Sequence, residues 1–307
     1  MAFTAADVKS LRERTGCGMM ECKKALTTAD GDMDKAIDIL REKGLAAAAK
    51  KASRIAAEGM VYATVDTDKK VGVLVEVNAE TDFVSKNADF QSFVKGLAQV
   101  IVDKAPADID ALNETMYDDK YTVAQTLQNL ILVIGENMKI RRFTRLEGNL
   151  VSYVHGGGRI GVLVQFDADD AVAGAEKFVE AGKDVAMQIA ALNAPYLNKE
   201  AVPAEVIEKE KEILIAQIQN DPKNAKKPAN IIEKMVSGRI GKYYTLNCLV
   251  EQEFVKNGDL TVGQYIEQTG KELGGNMAIT GFVRFEKGEG LQKREDNFAD
   301  EVASMIK

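Results

Sequence analysis

The sequence predicts an α+β protein with a duplicated core, and three observations carry that prediction. The first is an internal repeat. Glu58-Gly59 recurs as Glu147-Gly148, 89 residues on, and at the same offset Gly72-Val73-Leu74-Val75 meets Gly161-Val162-Leu163-Val164. Ala105-Pro106 meets Ala194-Pro195 there too, so this span aligns without a gap. The closing halves match at an offset of 139: Thr122-Val123-x-Gln125 with Thr261-Val262-x-Gln264, Gly135-x-Asn137-Met138 with Gly274-x-Asn276-Met277, and Phe143-x-Arg145 with Phe282-x-Arg284. The second observation is the order within a copy. Period-2 strands precede 3.6-period helices with no strand-helix-strand alternation, which specifies antiparallel sheets with helices on one face. The third is the difference between the offsets. It leaves 50 extra residues between Pro195 and Leu260, and they read as a helical hairpin.

Residues 1–44 read as three short helices around a small core. Ala5 to Arg14 presents Val8 and Leu11, with Ala5 a candidate third, and Thr15-Gly16-Cys17-Gly18 breaks it. Met19-Met20 leads into Glu21 to Ala29, with Cys22, Ala25 and Leu26 at helical spacing, and Asp30-Gly31-Asp32 turns the chain. Met33 to Lys43 places Met33, Ala36, Ile37 and Leu40 inward, and Gly44 closes it as a glycine just past a helix commonly does. Residues 45–57 are alanine-rich and predict a helical connector whose Lys50, Lys51 and Arg54 face solvent.

Core copy 1 spans 58–146. Met60–Val65 and Val71–Val77 form a hairpin around Asp66 to Lys70, helices cover Phe90–Lys104 and Val123–Met138, and Ile140–Leu146 is the closing strand. Core copy 2 spans 147–287. Its strands Leu150–Val154 and Ile160–Phe166 flank His155-Gly-Gly-Gly158, helices follow around Ala175–Leu192 and Val262–Leu273, and Ala278–Phe285 closes. The insertion, about 196–245, gives one helix with Val206, Ile207, Ile213, Leu214 and Ile218 near one stripe. After a polar turn that ends at Pro228, a second carries Ile231, Ile232, Met235, Val236 and Ile240. Such an arm is either a self-packed spacer or a contact surface, for self-association among other uses. The segment 288–307 ends in an amphipathic helix lined by Phe298, Val302, Met305 and Ile306.

Composition narrows the function. The chain has 307 residues, a net charge of −7 and a pI near 5.1, which speaks against nucleic acid as a direct partner because such binding rests on neutralising phosphates. The N-terminal stretch is charged from Asp7 onward and no run reaches the roughly 18 apolar residues of a membrane span. A cytoplasmic protein without membrane contact is expected. There is one histidine, no tryptophan, and an odd number of cysteines. Cys17-x4-Cys22 is not a zinc spacing, and Cys17, Cys22 and Cys248 read as reduced structural thiols. A histidine-based metal site or a Ser-His-Asp triad is poorly supplied. The expectation is no enzyme, no catalytic residue, no metal and no cofactor.

Two motifs look like sites and fail. His155-Gly-Gly-Gly-Arg159 lacks a Gly-Lys-Ser/Thr ending and leads into a strand, whereas a phosphate loop opens a helix. It is a hairpin turn, with His155 at its tip. Asp167, Asp169 and Asp170 fit no calcium loop and read as a solvated strand end. Thr81-Asp82-Phe83-Val84 is different, because it follows a core strand and has no counterpart in copy 2. Two readings stand open from the residues. Thr81 or Asp82 caps the next helix with Phe83 as a staple onto the core, or Phe83 and Asp82 form a protruding wedge. Met19 and Met20 likewise are either core fillers or an adaptable contact surface.

Leu11-Arg-Glu-Arg-Thr-Gly-Cys-Gly-Met-Met-Glu-Cys-Lys-Lys-Ala-Leu26, Asn78-Ala-Glu-Thr-Asp-Phe-Val84 and Val154-His-Gly-Gly-Gly-Arg-Ile-Gly-Val-Leu163 closely resemble the bacterial translation elongation factor Ts family, and the resemblance covers the whole chain. It implies a guanine nucleotide exchange factor for elongation factor Tu. It implies that the first three helices are a ubiquitin-associated-like module contacting the partner's GTPase domain, and that the C-terminal segment reaches that domain too. By the same resemblance Thr81, Asp82, Phe83 and Val84 act near the partner's magnesium site, Asp82 and Phe83 entering to dislodge the ion. Arg12, Met19, Met20 and Lys23 touch a GTPase-domain helix, and His155 contacts the partner from the hairpin tip.

Overall fold

Thr4 opens the first helix by a reciprocal cap. Its hydroxyl accepts from the Asp7 amide at 3.3 Å while the Asp7 carboxylate accepts from the Thr4 amide at 2.7 Å. A computed structural model of the chain describes residues 3–224 and 227–292; the expected amphipathic helix with Phe298, Val302, Met305 and Ile306 lies outside the described residues. Helix α1 (Ala5–Thr15) ends on Gly16 at φ +69°, α2 (Met19–Thr28) follows, and α3 (Met33–Lys51) starts on Asp32, whose carboxylate accepts from the amides of Asp34 and Lys35. Leu11, Cys22, Ala25, Leu26, Ala36 and Leu40 meet between them, while Ala5 is exposed.

The expected stop at Gly44 needs correcting. α3 runs on to Lys51, so the boundary between residues 1–44 and the connector 45–57 falls inside one helix. Gly44 is buried, and a Cβ there would lie 3.5 Å from the backbone oxygen of Gln128. It lies inside the helix, facing Gln128, and does not end it.

The body begins with β1 (Glu58–Asp66) and β2 (Val71–Ala79), then α4 (Ala88–Lys104), α5 (Ile109–Glu114), α6 (Val123–Ile134) and β3 (Met138–Glu147). Copy 2 follows with β4 (Asn149–His155), β5 (Ile160–Ala168), the short α7 (Asp170–Ala173) and α8 (Glu176–Leu192). The insertion supplies α9 (Ala204–Asn220) and α10 (Ala229–Asn247), and a two-stranded hairpin β6 (Glu253–Phe254) and β7 (Asn257–Thr261) leads to α11 (Val262–Glu272) and β8 (Met277–Glu286). The expected run of helix from Val123 to Met138 ends earlier, because Gly135 at φ +87° caps α6 and lets β3 begin.

Two three-stranded antiparallel sheets result, β1-β2-β3 and β4-β5-β8. Strand alternation explains how both faces of each are used. Val71, Val73, Val75 and Val77 of β2 face Phe90, Val94, Leu97 and Ile101 of α4. Val162, Val164 and Phe166 of β5 face Phe178, Val185 and Ile189 of α8. The opposite faces bring the two sheets together, with Val61, Ala63 and Leu74 against Leu150, Leu163 and Phe285. Gly72 and Gly161, equivalent in the repeat, let the backbones approach. A Cβ on Gly72 would lie 2.7 Å from Leu163 Cδ1, and one on Gly161 would lie 2.7 Å from Leu74 Cδ1. The N-terminal module is seated on this body through Leu132 and Val133 of α6, which pack against its core.

The gap-free alignment of the first halves also needs correcting. The strands β2 and β5 match at 89 residues, but α4 and α8 match at 88: Phe90 with Phe178, Leu97 with Val185 and Ile101 with Ile189 are buried pairs. Copy 1 therefore has one more residue between strand and helix, and copy 2 regains it before Pro195.

The helical hairpin packs on itself. Ile207, Leu214 and Ile218 of α9 meet Val236 and Ile240 of α10, with Cys248 at the base. Ile213 and Ile231, expected within the stripes, are exposed, because a two-helix seam buries a narrower stripe than a globular core does. The three cysteines are free and buried. No described helix is long and apolar enough to cross a membrane.

Candidate functional site

The stretch between β2 and α4 is built by its two ends. Glu80 follows the strand directly, and its carboxylate accepts from the Asn137 amide at 2.6 Å and from Arg54 Nη1 at 3.3 Å. Thr81 donates twice to Glu136, from its amide to Oε2 at 2.9 Å and from its hydroxyl to Oε1 at 2.7 Å. Val84 is buried in the core of copy 1 and opens a single 3₁₀ turn, Val84–Lys86. Asp82 and Phe83 remain between these anchors, both exposed, and the Phe83 ring is 74% accessible. Lys86 steadies the tip from behind, its Nζ 3.5 Å from Asp82 Oδ2 and 5.6 Å from the Phe83 ring centroid. Ser85 donates to the Asp82 carbonyl at 2.6 Å.

This geometry removes the capping reading. Asn87 caps α4, accepting from the amides of Asp89 and Phe90 at 2.8 and 3.1 Å, and Phe90 fills the core. Neither Thr81 nor Asp82 caps the helix, and Phe83 is no staple. An aromatic ring held out in water is an exposed apolar surface that binding to a partner would bury.

The second copy shows the same corner without the exposed ring. Asp169 matches Glu80, accepting from the Asn276 amide at 2.7 Å as Glu80 does from Asn137. Val172 matches Val84, both buried. Between the matched pairs copy 1 has Thr81-Asp82-Phe83 and copy 2 has Asp170-Ala171, so the one extra residue of copy 1 falls in the exposed tip. Asp170 pairs with Lys70 at 3.1 Å and Asp169 accepts from the Asn276 amide, so these two of the three acidic residues have structural partners. Among the described residues no group of three or more His, Cys, Asp or Glu is arranged to hold a metal.

The other expected contacts lie elsewhere on the surface. Arg12 and Lys23 are exposed on α1 and α2. Met19 and Met20 form the first turn of α2 at 49% and 62% accessibility, which excludes the core-filler reading for both. His155 ends β4 and is exposed, with the Tyr153 hydroxyl 2.9 Å from its Nδ1. Gly156, Gly157 and Gly158 follow at φ +59°, +64° and +101°, a hairpin turn as expected, and the Gly158 carbonyl accepts from the Val61 amide at 2.8 Å. Sequence reasoning missed Glu80, Glu136 and Asn137. The available signal was the variable position of Gly135-x-Asn137 against Gly274-x-Asn276, where copy 1 has Glu136 and copy 2 has Gly275.

A duplicated α+β body that carries a small helical module with bare methionines, and holds an aromatic residue out at a braced corner, has the build of a protein-docking factor. A family model described as Elongation factor TS matches residues 80–289. Proteins named Elongation factor Ts are similar over nearly the full length: that of Clostridium kluyveri is 52% identical over 309 residues, and those of Clostridium botulinum and Clostridioides difficile are each 49% identical over 307, with 99% of each chain covered. The chain belongs to the elongation factor Ts family, and so to the translation elongation factors.

Proposed function

We propose that this chain is the guanine nucleotide exchange factor of elongation factor Tu and that it releases GDP by inserting Asp82 and Phe83 beside the partner's magnesium site. The observation that supports this most is the exposed Phe83 ring next to a carboxylate, braced on both sides. No bond chemistry is needed. A GTPase holds GDP through a phosphate-cradling loop and a magnesium ion that demands near-ideal octahedral ligation. A wedge that shifts the surrounding elements spoils that ligation. Burying a phenylalanine supplies up to about 3 kcal/mol toward insertion. Linkage makes the effect reciprocal, so GDP weakens this chain's hold as this chain weakens GDP's. Arg12, Met19, Met20 and Lys23 dock the N-terminal module on the GTPase domain in this reading, and His155 contacts the partner from its hairpin tip.

Release of a fluorescent GDP from purified elongation factor Tu, followed by stopped flow, tests it. Phe83→Ala is expected to slow stimulated release by about tenfold or more. Its thermal melting stays near that of the parent, since the ring makes no core contact. Release at the parent rate would overturn the wedge. A plain adaptor, docking through Met19 and Met20, would bind the partner without speeding release at all.

A further inference from the structure

The chain contains its own control for the loop that carries Phe83. The turns Gly135-Glu136-Asn137 and Gly274-Gly275-Asn276 occupy equivalent places after α6 and α11, and each bonds an acidic residue at the end of a central strand. They differ at the middle residue. A Cβ on Gly275 would lie 2.6 Å from Asp169 Oδ2 and 2.8 Å from Val172 Cγ2, so the copy 2 loop lies down onto its turn and leaves no room for a side chain. In copy 1 the same position is Glu136, and its carboxylate takes both the amide and the hydroxyl of Thr81, 55 residues away. The tip with the extra residue starts immediately after that contact.

We propose that Glu136 is a positioning residue for exchange: its carboxylate props the loop so that Asp82 and Phe83 stand out in the docking conformation. This rests on the exchange reading above. The physical ground is preorganisation. Two hydrogen bonds to one side chain fix the residue before the tip, so that less chain entropy is lost when the wedge enters its partner. Val84 anchors the other end in the core; upstream, Glu80 is tied to Asn137 and Arg54, and Glu136 holds Thr81, the last residue before the tip.

Three variants test this in one assay, with stopped-flow GDP release from elongation factor Tu read at saturating factor. Glu136→Ala is expected to lower the limiting rate about tenfold. The Thr81 amide should exchange with solvent faster in NMR of the free protein. Glu136→Gln is isosteric and keeps one acceptor oxygen, so it should fall between the parent and Glu136→Ala in both readouts. If Glu136→Ala does not fold, Glu136→Gln carries the test alone. Phe83→Ala is the reference. A slow Phe83→Ala beside a Glu136→Ala at the parent rate overturns this inference and leaves the exchange reading standing. Unchanged Thr81 amide protection in Glu136→Ala overturns it as well. Parent-rate release by Phe83→Ala removes the exchange wedge itself, and the role of Glu136 goes with it.

Discussion

Glu76 is a carboxylate with no exposed surface, set in the middle of a strand of valines. Arg141 Nη1 lies 3.0 Å from one oxygen and Arg142 Nε 2.7 Å from the other, while Asn78 and the Gly288 amide donate at 3.0 and 2.8 Å. Burial pushes its pKa up, and the bonds from Gly288, Asn78 and Arg142, with the arginine charge, outweigh that and hold it below the usual carboxylate range. A folded-state pKa below the unfolded one means stability that is present above the unfolded value and lost as pH falls through the folded one. Acid below about pH 4.5 should therefore weaken the parent through this group. Glu76→Gln leaves the arginines facing a neutral amide, and a broken buried pair typically costs about 3 kcal/mol. Urea unfolding at pH 7 should show that loss, and the gap to the parent should narrow on acidification. A gap that holds or widens in acid would count against the ionised pairing. At this scale Phe83 was within reach of sequence reading through its tetrapeptide, whereas Glu76 is one polar letter in an apolar run whose arginine partners are more than 60 residues away.

At the scale of elements, the glycines decide where helices stop, and they do so by conformation. Gly16 and Gly135 adopt φ of +69° and +87° and end α1 and α6. Gly44, in an equally plausible position after Lys43, stays helical and faces α6. A Cβ there meets Gln128 at 3.5 Å, an ordinary contact, and glycine inside a helix is destabilising by roughly 0.5–1 kcal/mol relative to alanine. Gly44→Ala is expected to raise the urea midpoint correspondingly. Gly44→Leu, too large for the gap, should lower it by prising α3 from α6. A loss of stability in Gly44→Ala would mean that the two helices lie closer than described. The letters around Gly44 carry a helix end as readily as a helix interior. What separates the two outcomes is α6, which arrives from residues 123–134.

For the whole molecule the decisive feature is the reciprocal fit of the sheets, Gly72 under Leu163 and Gly161 under Leu74. Gly72→Ala adds a methyl to a filled space, and overpacking of this kind costs about 1–3 kcal/mol. Leu163→Ala alone leaves a cavity and costs about 2–5 kcal/mol. Joined, the two changes should destabilise less than their sum, because each relieves the other. Additive values in a urea double-mutant cycle would argue against this contact.

The sequence by itself determined the main strands and helices of both copies, the duplication, the helical hairpin and the tetrapeptide at the corner, but not the ends of α3 and α6 or the short α5, α7, β6 and β7. What it determined is written in local periodicity, in letters repeated along the chain or, for the tetrapeptide, in letters that the second copy lacks. Only the tertiary structure decided that the sheets stack on glycines, that Gly44 lets a helix pass, that Ile213 and Ile231 stay outside the hairpin seam, and that Glu136 holds Thr81. The reason is physical. Burial, close approach and a shared hydrogen bond belong to pairs of residues brought together from distant parts of the chain. Neither partner carries a mark of the other until folding makes them neighbours.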